Sequence, residues 1–233
     1  LQVMLQTVII WCTLFACGSH AAVTLEEFFV FGPHYGDQQL NQTSMESGRI
    51  ALDPPFKIFD KLQDYVTVNA EGYIESISGL IAVYFGKVNL RTQGNVYWRK
   101  STSKAILDKV REELGSLYKD IELKWAVVAT WYQVVPSGER SSYTAPNTFQ
   151  GILTTDGNSS FVIFYYNDIG WYTQKSPSDS FAGFLLFENK KTILKQHYIE
   201  GSNSSDILTI EHRSNHGLNP GKWIFRIDQQ TIS

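Results

Sequence analysis

Short runs of apolar and aromatic residues, separated by turn signals, recur along most of this chain of 233 residues. Two such runs, residues 65–68 and 73–77, flank a turn at 69–72. This pattern predicts a β-hairpin in which Gly72 adopts a positive φ. Aromatic residues make up 14% of the chain, and they favour strands and sheet cores. The sequence therefore predicts a mainly β protein.

Further strands are predicted wherever the runs are apolar throughout or alternate with polar residues. Asp156 and Gly157 mark a second hairpin turn. Trp125 and Trp131 lie six residues apart and face the same side of a regular strand, so we expect both in the core. The additional predicted strands cover residues 27–31, 80–88, 95–99, 124–131, 148–153, 161–166, 181–187 and 223–227.

One segment has the periodicity of an amphipathic helix. Ser101 or Ser103 is placed to cap its start, and Gly115 to end it. Its apolar face is formed by Ile106, Leu107, Val110, Leu114 and Leu117. No Pro/Gly/Ser-rich linker or internal repeat divides the chain. We therefore expect residues 22–233 to form a single β-sandwich-like domain with one amphipathic α-helix packed against it.

The first 21 residues have the composition of a secretory leader. They contain no Asp, Glu, Lys or Arg, and their apolar run, residues 8–17, is too short to span a bilayer. Ser19 and Ala21 provide the small residues expected before a cleavage site. We therefore expect a signal peptide over residues 1–21, truncated at its start because the chain opens with Leu1 and has no basic residue before the run.

The leader also decides the cysteine chemistry. Cys12 and Cys17 are the two cysteines of the chain, and both lie in the expected signal peptide. Residues 22–233 therefore have no disulfide and no Cys-based metal site, and they depend on a sizeable core for stability. Sequons at Asn41, Asn158 and Asn203 predict N-glycosylation in polar, loop-like stretches. Together these features predict a secreted glycoprotein without a membrane span.

Signatures of catalysis and of nucleic-acid binding are absent. The net charge of −3 gives no basic footprint for nucleic acid. No G-x-S-x-G, Walker-type or G-x-G-x-x-G motif occurs. His212 and His216 are four residues apart, but Arg213 stands where a metalloprotease has Glu, and Gly217 follows in a loop-like stretch. We predict no catalytic residue, no metal and no cofactor.

The best candidates for a binding surface lie after the predicted strand at 161–166. Trp171 and Tyr172 fall in a loop-like stretch, and such aromatic residues are enriched in binding hot spots. Asp168 precedes them and is placed to hold a polar ligand, although a role in a turn is the better explanation. A weaker alternative is a hydrolase that uses Asp168 as its carboxylate.

Several pieces of the chain resemble, in the same order, the nidogen-like (NIDO) extracellular domain. The resemblance extends over about residues 27–228. One departure concerns a strand with two acidic residues in the family, where this chain has Lys87 and Asn89 instead. The matching pieces are residues 29–33 with 36–37, 65–69 with 72, 95–99, 127–131, 147–150 with 156–157, and 221–225.

The resemblance implies a non-catalytic extracellular module, secreted into the extracellular matrix or extracellular space. Its expected function is cell–matrix adhesion or the binding of matrix or cell-surface proteins. It provides no catalytic residues to transfer, and any role of the two family carboxylates is lost at Lys87 and Asn89. The alternative is a lectin-like carbohydrate-binding domain that uses exposed aromatic residues, in which case glycans are partners as well.

Overall fold

The computed structural model describes residues 22–40, 42–138, 145–173, 179–215 and 217–233. The described residues form twelve strands, one α-helix and several 3₁₀ segments, three of which are Pro33–Tyr35, Ser116–Tyr118 and Ser205–His212. The strands before the helix are β1 (Gln38–Gln39), β2 (Ile50–Ile58), β3 (Lys61–Asn69), β4 (Tyr73–Glu75), β5 (Gly79–Phe85) and β6 (Asn95–Ser101). They are followed by α1 (Lys104–Leu114), β7 (Trp125–Val134), β8 (Asn147–Thr155), β9 (Ser160–Asp168), β10 (Phe181–Glu188), β11 (Thr192–Tyr198) and β12 (Lys222–Arg226).

The strands form two antiparallel sheets of six. The first sheet has the order β1-β6-β7-β8-β9-β12, and the second has the order β11-β10-β5-β4-β3-β2. Buried residues of both sheets belong to one hydrophobic cluster between them, so the sheets pack face to face as a sandwich. The predicted fold class, mainly β and sandwich-like with one helix, is confirmed. No helix among the described residues has the length and apolarity needed to cross a bilayer.

Two tryptophans of β7 connect the sheets. Trp125 and Trp131 are both fully buried between the sheets, as the sequence predicted. The indole N–H of Trp125 donates to the carbonyl of Pro54 in β2 at 2.8 Å. The indole N–H of Trp131 donates to the carbonyl of Asn69 at the end of β3 at 2.9 Å. Each ring therefore fills the core while its polar N–H is paired with the opposite sheet.

The outer face of the first sheet is also covered. A second hydrophobic cluster packs α1 and the segment before β1 against β7, β8 and β9. The buried side-chain amide of Gln150 in β8 accepts from the Phe29 N–H and donates to the Phe29 carbonyl, both at 2.8 Å. Gln150 thus holds the covering segment in the manner of a short strand pair. With both faces covered, all nine residues of β8 are buried.

The predicted strand at 27–31 is wrong. Phe28 and Phe29 are buried beneath α1, but the segment forms a turn, in which the Glu27 N–H donates to the Thr24 carbonyl, and makes no strand pairing. An apolar run that covers a sheet has the same composition as a strand within it. The helix and its end at Gly115 are as predicted, but the side chain of the N-cap residue Ser103 makes no capping hydrogen bond. Leu117 is 89% exposed because Gly115, with a φ of 82°, ends the helix before it.

The hairpin at Gly72 provides the first test of the fold. Gly72 has a φ of +88°, and a Cβ there would lie 1.8 Å from the Tyr84 carbonyl oxygen. Gly36 has a similar φ of +83°, with open space around its Cβ position. We expect Gly36→Ala to lower the free energy of unfolding by about 1 kcal/mol through backbone strain alone. Gly72→Ala should lower it by more than about 3 kcal/mol, because a strand must also move. Urea unfolding measures both, and equal losses would contradict the steric argument.

Candidate binding surface

The second sheet has an outer face that no described element covers. Four aromatic residues lie on this face, one on each of four adjacent strands: Tyr73 (β4), Phe85 (β5), Phe181 (β10) and Tyr198 (β11). All four are partly exposed, and none belongs to either hydrophobic cluster of the core. We call these four residues the aromatic row. The row is the largest set of contacting, partly exposed rings among the described residues that the core does not use.

The rings of the aromatic row contact one another in sequence across the sheet. The ring centroids of Tyr73 and Phe85 are 5.8 Å apart, and those of Phe85 and Phe181 are 5.1 Å apart in a stacked arrangement. Phe181 and Tyr198 meet edge to face at 5.4 Å. These separations are typical of favourable aromatic pairs. Each ring therefore limits the motion of the next, and the row is a rigid apolar surface.

A β-bulge brings Phe85 to the outer face. In the pairing of β5 with β10, Ala82 lies opposite Gly183 and Phe85 lies opposite Phe181. Three steps along β5 thus match two along β10, so β5 carries one extra residue. Val83 and Tyr84 both belong to the inter-sheet cluster, and the alternation resumes with Phe85 pointing outward. Without the bulge, the alternation of the strand would bring Phe85 to the core.

Two small residues lie on the outer face near the rings. Ala82 lies opposite both Tyr73 and Gly183, and Gly183 lies opposite Tyr198. Ala82 has no exposed surface, and Gly183 is buried too, although both lie on the outer face. The burial of these two small residues indicates that neighbouring side chains on the outer face cover them. A Cβ at residue 183 would lie 2.2 Å from the His197 carbonyl oxygen, so this position requires glycine.

The charges near the Tyr73 end of the row are balanced. Burial, with smaller contributions from the carboxylates of Glu75, Glu71 and Glu46, raises the pKa of Tyr73 to about 12. Its hydroxyl therefore remains a hydrogen-bond donor at physiological pH. Burial also raises the pKa of Glu71, and the charge of Lys87 opposes this shift. Lys87 thus provides the cation beside Glu71.

The expectation that Trp171 is a surface residue is wrong. Trp171 is 3% exposed, and its indole N–H donates to the Val134 carbonyl at 2.9 Å. The cause is the buried side chain of Asn147, whose Oδ1 accepts from the N–H groups of Gly170 and Trp171 at 2.8 and 3.0 Å. Asn147 draws the segment after β9 into the sandwich. A loop-like sequence therefore contributes a core tryptophan.

The other two predicted binding residues lie apart from the aromatic row. Tyr172 is partly buried and packs against the inter-sheet cluster. Asp168 is exposed at the end of β9, in the first sheet. Because Trp171 is buried, the three residues do not form an exposed aromatic surface together. Binding at Tyr172 or Asp168 stays a prediction.

Two of the three predicted glycosylation sites are described. Asn158 is exposed in the turn between β8 and β9, and Asn203 is partly exposed with a φ of 61°. Asn41, His216 and the expected signal peptide lie outside the described residues. His212 ends a 3₁₀ segment, with its Nε2 3.7 Å from Oε1 of Glu211. Within the described ranges, no three His, Cys, Asp or Glu side chains are grouped as metal ligands.

The sequence did not identify the aromatic row, for two reasons. Phe85 ends a run that is apolar from Leu80 onward, so the pattern alone gave no indication that it faces outward. Tyr198 belongs to β11, an edge strand whose polar residues gave no strand signal. Tyr73 and Phe181 were placed in strands correctly, but only the sheet order makes them neighbours. A strand search that tolerates polar edge strands would have found β11.

Comparisons with known proteins agree on one family. The family model described as "Nidogen-like domain" matches residues 45–229. Alpha-tectorin of Gallus gallus is 32% identical over 211 residues, which cover 80% of this chain and 10% of that protein. Dendrite extension defective protein 1 of Caenorhabditis elegans is 26% identical over 220 residues, which cover 88% of this chain and 18% of that protein. Nidogen-1 of Mus musculus is 26% identical over 257 residues, which cover 92% of this chain and 20% of that protein.

The chain thus spans a fifth or less of the length of these relatives. No solved structure matched the chain significantly. The resemblance noted in the sequence is confirmed, since the family model covers most of the chain and the fold is the expected sandwich. Nidogen and alpha-tectorin are extracellular matrix proteins, and this chain belongs to the same nidogen-like family of extracellular domains.

Proposed function

We propose that the chain is a non-catalytic binding module of the extracellular matrix that holds a matrix or cell-surface protein on its aromatic row. The observation that supports this most directly is the difference between the sheets. The first sheet is covered on both faces, whereas the described residues leave the outer face of the second sheet open. An exposed group of aromatic residues on a rigid sheet is typical of a protein-binding surface.

The construction of the aromatic row favours binding energetically. Aromatic side chains bury much apolar area and lose little conformational entropy when they bind. Here neighbouring rings already restrict the motion of Phe85 and Phe181. A partner would therefore pay little for ordering the surface. This part of the entropic cost of association would therefore be small.

A non-catalytic role agrees with the local chemistry of the carboxylates. Asp37 lies in the turn-rich segment before β1, where its carboxylate pairs with Arg99 and accepts from the Gly32 N–H at 2.6 Å. These contacts use both oxygens of Asp37 for structure. Asp156 accepts from the N–H groups of Asn158 and Ser159 at 2.8 and 2.6 Å, as a turn residue does. Neither carboxylate is available as an acid or base.

A lectin-like function is the second candidate. The observation in its favour is that four partly exposed aromatic rings contact one another on an open sheet face, because exposed aromatic rings can pack against sugar rings. The hydroxyl of Tyr73 and the carboxylates of Glu71 and Glu75 lie at one end of the row, where they would bind sugar hydroxyls. This alternative uses the same surface and differs only in the ligand.

The first experiment removes one ring from the row. We expect Phe85→Ala to weaken binding of the folded domain to immobilised basement-membrane extract about tenfold or more, because it deletes a central aromatic contact. Tyr198→Ala, at the edge of the sheet, should have a smaller effect in the same direction. Surface plasmon resonance measures both variants, after circular dichroism has shown that they fold.

The matched control is Tyr35→Ala. Tyr35 is an aromatic residue 52% exposed in the 3₁₀ segment Pro33–Tyr35, which precedes β1 of the first sheet. Its removal should leave binding to the extract unchanged. If Phe85→Ala and Tyr198→Ala also leave binding unchanged, the aromatic row is not the binding surface.

A glycan array separates the two candidate functions. On the protein-binding proposal, the unmodified domain gives no saturable signal with any glycan while it still binds the matrix extract. On the lectin alternative, a defined glycan binds with saturation, and Phe85→Ala removes the signal because the stacking face is lost. A glycan signal that depends on Phe85 would therefore replace the first proposal by the second.

The glycosylation sites are tested on protein secreted from eukaryotic cells. We expect N-glycans at Asn41, Asn158 and Asn203, since each sequon is intact and the two described asparagines have exposed surface. Asn158→Gln and Asn203→Gln should each remove one glycan, observed as one step in electrophoretic mobility. If enzymatic removal of N-glycans shifts neither the parent protein nor these variants, the sites are not used.

A further inference from the structure

The two ends of the aromatic row differ chemically from its middle. Phe85 and Phe181 occupy the middle, stacked with an interplanar angle of 30°, and the small residues Ala82 and Gly183 lie on the same two strands and the same face. The middle of the row therefore presents hydrocarbon alone. Hydroxyl groups occur only on the terminal rings of the row.

The charged side chains around the Tyr73 end cancel one another. The Nζ of Lys190 lies 3.6 Å from Oε1 of Glu75, and the charge of Lys87 acts on Glu71. Glu46 and Arg49 line a depression of about 300 Å³ beside the row, which Glu75 and Lys190 also line. With three carboxylates matched by three cations, this end of the row complements an uncharged ligand. Strongly acidic or basic segments would gain nothing here.

The apolar middle of the row and its balanced charges favour a ligand that is both apolar and uncharged, and a polyproline II segment is such a ligand. Its proline rings are apolar and stack on aromatic side chains, and its main chain makes no internal hydrogen bonds, so its carbonyl groups are free acceptors. Residues on one side of this helix repeat about every 9 Å. The rings of the row lie on adjacent strands, and alternate strands of a sheet are about 9.5 Å apart, which is close to this repeat.

A sugar fits the middle of the row less well. Sugar hydroxyls lie around the rim of the ring and need polar partners beside the stacking face. Within the row, Phe85 and Phe181 have no polar side-chain atoms, and the polar groups are the two terminal hydroxyls and the charged side chains beside Tyr73. An uncharged extended peptide needs only the rings and a few donors for its carbonyls. The hydroxyls of Tyr73 and Tyr198 provide those donors.

We propose that the aromatic row binds an uncharged, proline-rich segment of a partner protein in the polyproline II conformation. Proline rings one helical turn apart would pack on alternate rings of the row, such as Phe85 and Tyr198, and the hydroxyls of Tyr73 and Tyr198 would donate to peptide carbonyls. This inference rests on the proposed function, because it uses the same surface and specifies the chemical class of the partner.

The probe is a fluorescein-labelled decaproline peptide, titrated with the domain and followed by fluorescence anisotropy. We expect saturable binding, and no binding of a labelled Gly-Ser decamer of equal length. Phe85→Ala should weaken decaproline binding about tenfold or more, and Tyr35→Ala should leave it unchanged. Tyr198→Phe keeps the ring and removes the hydroxyl, so it should weaken binding less than Tyr198→Ala does.

Several results would overturn the inference. They are the absence of saturable decaproline binding, equal binding of the Gly-Ser peptide, or binding that neither Phe85→Ala nor Tyr198→Ala changes. If decaproline fails while binding to the matrix extract still depends on Phe85, the proline inference is wrong and the proposed function stands. If binding to the extract is also independent of Phe85, the proposed surface is wrong as well.

Discussion

The hydrogen bond from the Trp131 indole N–H to the Asn69 carbonyl joins the two sheets, and the placement of the aromatic row depends on it. Trp131 is held in place by stacking on Phe149 at 5.1 Å, with both rings in the dry core. Asn69 opens the turn that ends at Gly72, and the Gly72 carbonyl accepts from the Tyr84 N–H at 3.0 Å. The core tryptophan therefore fixes the hairpin and the strand that carry Tyr73 and Phe85.

The bulge in β5 connects this core to the outer face. Because Val83 and Tyr84 both turn inward, the core gains two side chains in succession, and Phe85 is directed outward as a consequence. Tyr84 also donates through its hydroxyl to the Trp171 carbonyl at 2.6 Å, so the same bulge helps to bury the segment after β9. The bulge thus determines both the packing inside the sandwich and the placement of the aromatic row.

Among the residues that the structure describes, only the first sheet has its outer face covered, and the two sheets therefore differ in their roles. The first sheet, enclosed between the core and the layer of α1 and Phe29, supplies stability without cysteines, since both cysteines of the chain precede residue 22. The second sheet relies on the shared core for its inner face. Its outer face is therefore free to carry partly exposed rings whose loss costs less stability than the loss of a ring such as Trp125.

The sequence alone determined the fold class, the hairpin at Gly72, the helix with its end at Gly115, and the burial of Trp125 and Trp131. These depend on local periodicity and turn chemistry, which a linear pattern records. Only the tertiary structure decided that residues 27–31 cover a sheet instead of joining it, that Trp171 is buried, and that Phe85 is exposed. Each of these depends on a distant partner: Gln150 for Phe29, Asn147 for Trp171, and the register between β5 and β10 for Phe85. A local pattern shows that a residue is apolar, but long-range pairing decides which face that residue occupies.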